Sequence, residues 1–187
     1  MTGPQQTRNG TNQPQLNALN DATTLVTVGI GGNDAGFTDV MITCNTSSDS
    51  TCVQRNNDAQ TFARNTLPGR LDSVYNAIRS RAPSATVIVV GYPHIYKIGG
   101  SCIAGLSDTK RAAINQSSDV LAGVTAARAS AHGFRFLDGR TPFSGHEICA
   151  SRPFWLHSIE ITAIDESYHP TSDGQNGYFA ALRSITG

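Results

Sequence analysis

The sequence predicts an α/β fold with a parallel sheet covered by helices on both faces, and three observations carry that expectation. Short β-branched runs alternate with helical segments of ten or more residues, the apolar spacing switches between strand and helix periods, and polar residues with chemical potential fall just after the strands. In such folds ligands bind at the loops beyond the carboxyl ends of the strands.

The first twenty residues are polar and read as a mobile tail, which leaves residues 21–187 as a single domain. Thr24 to Ile30 (TLVTVGI) is a β-branched run closed by Gly31 and Gly32, the pattern of a buried strand. A loop carrying Cys44 and Cys52 is expected next. From about Asp58 to Arg81 the apolar residues Phe62, Ala63, Leu67, Leu71, Val74, Tyr75 and Ile78 recur at helical spacing, and Pro68 must kink or split that helix. Thr86 to Val90 (TVIVV) is the second strand and runs into GYPHIY. Ser107 or Asp108 caps a helix through about Ala131, and Gly133 stops it. Phe134 to Leu137 is the third strand. Residues 139–170 form an irregular stretch too long for a simple connector, and such segments in compact domains tend to be functional. Thr171 or Ser172 then caps a final amphipathic helix bearing Tyr178, Phe179, Leu182 and Ile185.

At 187 residues the chain is large enough to bury roughly 70% of the surface its unfolded form exposes, so one core is the default. Formal net charge is zero and no basic patch stands out, which argues against nucleic acid as a partner. No stretch approaches a membrane span, and residues 1–20 lack the apolar segment of a signal peptide, so export would imply a leader outside this sequence. Cysteines at 44, 52, 102 and 149 lack the close pairs of structural zinc sites, and no metal is expected. Their even number in a chain rich in Asn, Ser, Thr and Gly, where only Lys97 and Lys110 are lysines, indicates two disulfides in an oxidising compartment. Three pairings are open. The favoured one joins Cys44 to Cys52 across a short loop and Cys102 to Cys149 between two loops that follow strands.

The chemistry sits at two turns. Gly31, Gly32, Asn33 and Asp34 follow the first strand and could present an amide side chain and a backbone N–H in an oxyanion-type arrangement. Late in the chain, Tyr168-His169-Pro170-Thr171 places a histidine just before a proline and a capped helix, which fixes its orientation. Alone, the first fragment is an ordinary glycine turn and the second an ordinary structural histidine. Their order and their placement on these elements give them joint meaning.

Quoted in full, LVTVGIGGNDAGF resembles block III of the SGNH (GDSL) hydrolases and SYHPTSDGQNGYFAAL resembles block V. GYPHIY, INQSSDVLAGVTAARA and SGHEICASRPFWLH are similar to the secreted lipases and esterases of actinobacteria, so the resemblance covers about residues 16–187. It implies the flavodoxin-like α/β/α sandwich of that family and a secreted carboxylic ester hydrolase needing no cofactor. Asn33 matches the oxyanion-hole asparagine, Gly31 and Gly32 its turn, and His169 the general base. The disulfide pattern of this subgroup agrees with the favoured pairing. Glu166 holds the position three residues before the histidine where many members carry the third triad residue; Asp165 is the alternative, and some relatives use a backbone carbonyl.

Block I, the G-D-S motif on the first strand, and block II have no match, so the first strand and its helix are expected to be missing and the nucleophile is unassigned. Ser101 and Ser144 are the only serines near strand ends that merit mention, and both read better as loop serines. A sheet lacking that strand exposes an edge, which predicts a homodimer or a repacked sheet. The substrate expected is a small ester or lipid. The rival reading is a truncated or degenerate domain that binds without catalysing, or a dimeric remnant. Trp155 and Phe154 could line an acyl pocket, but read better as packing a loop onto the core; His94, His132, His146 and His157 match no ligand set and read as loop or surface histidines.

Overall fold

The computed structural model describes residues 3, 5–7, 10–102, 106–160, 162 and 166–186. Strands β1 (Gln5–Thr7) and β2 (Gly10–Asn12) pair as an antiparallel hairpin, followed by a single 3₁₀ turn at Gln15–Ala18. The expected tail therefore carries structure. Its anchor is Leu16, 4% exposed and part of the main core, while the Arg81 guanidinium donates to the Leu16 carbonyl at 2.8 Å. One apolar residue in a polar segment gives no periodic signal, yet its burial with Leu19 packed beside it draws the segment onto the domain.

The central sheet has three parallel strands in the order β3 (Leu25–Val28), β4 (Thr86–Val90), β5 (Arg135–Leu137). β4 lies in the middle and is buried almost throughout, which is why its sequence is an unbroken apolar run. β3 has one buried face, Val26 and Val28, and on the other Leu25 remains 47% exposed. The β-branched residues of both strands meet Leu67, Leu71, Tyr75 and Ile78 of one helix and Leu121 and Ala129 of another to form the main core.

The expected cysteine loop is instead two helices, α1 (Phe37–Thr46) and α2 (Asp49–Asn65). Val40, Met41 and Cys44 give α1 a buried stripe, and Ser48 caps α2 by accepting from the Thr51 N–H. The polar run between the cysteines hid these elements. Cys44–Cys52 joins the end of one helix to the start of the next, and Cys102–Cys149 joins the loop after β4 to the segment after β5; both favoured pairings are present. Lys110 reaches over from α4 (Asp108–Ala131) to donate to the Cys44 and Ser47 carbonyls, satisfying the open end of α1.

The long helical pattern after Asp58 is split as Pro68 requires: α2 ends at Asn65, and α3 (Leu67–Arg81) begins with the proline in its first turn, where a missing N–H costs nothing. Ser107 caps α4, and Gly133, at φ 66°, terminates it. The stretch after β5 is ordered by α5 (Arg140–Phe143) and by two isolated bridges, Tyr96 with Ile148 and Leu156 with Pro170. It builds a second core from Phe143, Ile148, Cys149 and Leu156 together with Val40, Met41 and both cysteines of the first disulfide. The chain closes with α6 (Ser172–Thr186), which lies beside β4 and β5: the Tyr178 hydroxyl donates to the Gly91 carbonyl and Arg135 to that of Ile185. Among the described residues no helix is long and apolar enough to cross a membrane.

Candidate active site

The loop after β3 is a compact turn. Ala35, Gly36 and Phe37 donate their N–H groups to the carbonyls of Gly31, Asn33 and Gly32 at 3.0–3.1 Å, so the chain coils directly into α1. Gly31 sits at φ 104°, and a Cβ there would press on Leu67 at 3.2 Å; at Gly32 it would meet the Tyr92 ring at the same distance. Conformation therefore calls for glycine at Gly31, and at both positions a side chain would have to push α3 or the β4 loop aside by a few tenths of an ångström. Asn33 is exposed, and no hydrogen bond among the described residues ties up its side-chain amide. Asp34 turns away to pair with Arg70 of α3 at 2.8 Å, an exposed ion pair of small energetic weight. Burial pushes the Tyr92 hydroxyl up from its ordinary pKa, and a backbone hydrogen bond from Gly32 partly offsets this.

The second turn is held by strand-like pairing. Tyr168 N–H donates to the His157 carbonyl at 3.0 Å, His157 N–H returns to the His169 carbonyl at 2.9 Å, and Thr171 N–H donates to that of Trp155. The His169 ring is exposed, and its Nδ1 lies 3.2 Å from the Ser167 carbonyl. A carbonyl can only accept, so in the neutral ring Nδ1 carries the proton and Nε2 is the acceptor, the tautomer a general base requires. Glu166 takes part through its backbone, its carbonyl accepting from the His169 N–H at 3.0 Å, while the residue itself is exposed. The ring's partner is thus Ser167 O, a backbone group that composition and spacing cannot reveal. Asp165 lies outside the described residues.

What joins the two turns is α1. Its first residue, Phe37, meets the Tyr168 ring edge-on at 6.1 Å, and Asn45 near its end donates to the Tyr168 hydroxyl at 3.0 Å. The helix that leaves the Asn33 turn is the support on which the His169 turn rests.

The sequence model of the GDSL-like lipase/acylhydrolase family matches residues 2–176. The chain belongs to that family. It is 52% identical over 173 residues to a lipase of Streptomyces rimosus, covering 92% of this chain and 64% of the relative, and 55% identical over 163 residues to lipase 1 of Streptomyces coelicolor, covering 87% and 60%. The chain thus spans about three fifths of the length of the curated relatives it matches. Among solved structures, phospholipase A1 from Streptomyces albidoflavus NA297 superposes with a TM-score of 0.87 at 51% identity, covering 91% of this chain and 72% of that one. The extracellular lipase of Streptomyces rimosus gives the same TM-score at 52% identity with the same coverage. The GDSL fold, an α/β arrangement with a parallel sheet, is therefore the fold of this chain.

The other candidate residues of this GDSL chain line cavities, form ion pairs or pack the core. Ser101 lines a cavity of about 510 Å³ with Gly100, Gly145 and Cys149; Ser144 lines another of about 440 Å³ with His94, Asp138, Arg140 and Glu147. No histidine bonds either serine among the described residues. His94 pairs with Asp119 at 2.8 Å, His132 with Asp72 at 2.9 Å, and His157 approaches Glu160 at 3.6 Å. Trp155 is committed to packing, stacked on His146 at 4.0 Å and edge-on to Phe143 at 5.4 Å, as the loop-packing reading expects.

The second cavity is walled by ion pairs. Arg140 binds Asp138 through two parallel hydrogen bonds and Asp119 through a third. For Asp138 the Arg140 hydrogen bonds outweigh burial and hold the carboxyl below its usual range; for Asp119 burial pushes up, and His94 and Arg140 together overcome it. A carboxylate whose folded pKa is depressed stabilises the fold above its unfolded pKa, about 3.9, and that contribution is lost as pH falls through the folded value. Urea midpoints measured from neutral pH downward are therefore expected to fall off below about pH 4. Arg140→Met should flatten that acid limb; an unchanged limb would remove the network from the account of acid stability.

Proposed function

We propose that this chain carries the oxyanion and general-base parts of a secreted carboxylic ester hydrolase acting on lipid-like or short acyl esters. The observation that carries the reading is the support of the His169 turn by α1, with Nδ1 facing the Ser167 carbonyl and Nε2 free. In this reading a serine oxygen attacks the ester carbonyl while His169 Nε2 takes its proton, and the Asn33 side-chain N–H stabilises the oxyanion of the tetrahedral intermediate. His169 then gives the proton to the leaving alcohol, and water attacks the acyl-enzyme by the same exchange. Ser167 O, in preference to Glu166 or Asp165, keeps the proton on Nδ1. Two disulfides and the extracellular lipase among the solved relatives support export. The outer edge of β3, which pairs with no strand among the described residues, is where a second copy would add.

Hydrolysis of a p-nitrophenyl ester tests the reading. Asn33→Ala is expected to lose about two to three orders of magnitude in kcat, and His169→Ala at least about 10⁴-fold. Glu166→Gln should change the rate by less than about tenfold, since the ring is held by a backbone group. Labelling with a fluorophosphonate followed by intact-mass analysis identifies the nucleophile. Turnover that survives His169→Ala rejects the mechanism; saturable ester binding without turnover or labelling favours a binding domain.

A further inference from the structure

Resting on that reading, we infer that Tyr168 is a positioning residue for His169: its clamped side chain enforces the turn that sets the Ser167 carbonyl under Nδ1. Tyr168 adopts φ 66°, in the left-handed region that residues with a Cβ avoid and that glycine enters freely. On backbone grounds alone the position calls for glycine. A strained backbone of this kind persists only where its surroundings over-determine it, and here they do.

The main chain of Tyr168 is pinned by the His157 carbonyl. Its ring lies edge-on between Phe37 at 6.1 Å and Tyr96 at 6.4 Å. Its hydroxyl accepts from the Asn45 amide at 3.0 Å and shares a hydrogen bond with the Tyr96 hydroxyl. Asn45 itself also donates to the Met41 carbonyl at 2.7 Å, so the amide is fixed before Tyr168 meets it. The clamp thus draws on α1 and on the loop after β4, two elements distant in sequence from the histidine. Because the left-handed turn at Tyr168 reverses the chain between Ser167 and His169, it allows the carbonyl of one to face the ring of the other. Relaxing Tyr168 to an extended or right-handed conformation would swing that carbonyl away, and Nδ1 and Nε2 would compete for the proton.

The test reads the ring nitrogens, so it needs no turnover. Two-bond ¹H–¹⁵N correlation spectra of the labelled chain, taken at a pH well above the imidazole range, should show His169 as a single tautomer, protonated at Nδ1. Tyr168→Phe and Asn45→Leu, which remove the hydroxyl–amide bond from either side, should each move the ring nitrogens toward a tautomer mixture. The double variant should fall short of the sum of the two single effects, since the hydroxyl–amide bond is common to both. Phe retains the ring, so this variant decides the matter even if larger truncations fail to fold. Unmoved ring nitrogens in Tyr168→Phe and Asn45→Leu, whatever happens to the melting temperature, overturn the inference and leave Tyr168 a packing residue. A His169→Ala protein that still turns over ester sinks the functional reading instead, which the spectra cannot do.

Discussion

Asn115→Ala is expected to lower the thermal midpoint on the order of 10 °C. Asn115 projects from α4, 7% exposed, into the loop that follows β4. Its Oδ1 accepts from the Ile95 and Tyr96 N–H groups at 3.1 and 3.2 Å, and its Nδ2 donates to the Tyr96 carbonyl at 2.7 Å. The side chain thus supplies strand-like pairing to the backbone groups of Ile95 and Tyr96 that the bridge to Ile148 leaves open. Truncation strands three buried backbone groups, each costing about 1–3 kcal/mol when left unpaired. Water entering the vacated space recovers part of this, so a net loss of about 3–5 kcal/mol is a fair scale. For a domain of this size each kcal/mol moves the midpoint by about 2–4 °C. Calorimetry decides: a loss under about 1 kcal/mol would mean that the loop holds its shape without the asparagine. The same loop carries Tyr92 beneath Gly32 and Tyr96 against Tyr168, so the change reaches both site turns.

The second large effect has the opposite sign to the usual rule. Glycine inside a helix ordinarily costs about 1 kcal/mol relative to alanine, so replacing it should help. In α6 it should do harm. A methyl group at Gly177 would overlap the Trp155 ring, with Cε3 at 2.6 Å, and one at Gly174 would collide with the Trp155 carbonyl and reach Pro170 at 3.1 Å. The first collision is with a ring wedged between His146 and Phe143, the second with main chain; neither neighbour can step aside cheaply. Each substitution is expected to cost about 1–3 kcal/mol. Gly174→Ala should also reduce ester turnover, because the displaced Trp155 backbone is paired with Thr171 and adjoins the His157 pair that holds His169. Gly69→Ala in α3 and Gly123→Ala in α4, where a methyl meets nothing within 4 Å, are the controls and should gain up to about 1 kcal/mol. If all four substitutions stabilise alike, the close approach of α6 to Trp155 is not a constraint.

Where the sequence is legible, it is legible through periodicity. TVIVV defines β4 to the residue because a central strand buried on both faces can be nothing else, and α4 announces both ends through Ser107 and Gly133. Elements whose apolar residues are few are lost: α1 and α2 hide behind a polar run with a disulfide inside it, and Leu16 is the one buried residue of its turn. At the proposed site, Asn33 and His169 are visible because the reading assigns the chemistry to their side chains and their neighbours form motifs. The Ser167 carbonyl is invisible in principle, since every residue has one and only the φ of Tyr168 aims it. Asn115 is equally silent, an amide in a helix until the loop folds over it.

The parallel sheet divides the molecule into two ends with different tolerances. Every strand delivers its carboxyl end to the rim where Gly31, Gly91 and Asp138 begin their loops, while the opposite rim is crossed by brief links such as Pro83 and Ser84, both exposed. A tether, dye or solid support joined at Pro83 or Ser84 would leave the histidine rim pointing into solution, which makes that link the natural handle for immobilising the protein.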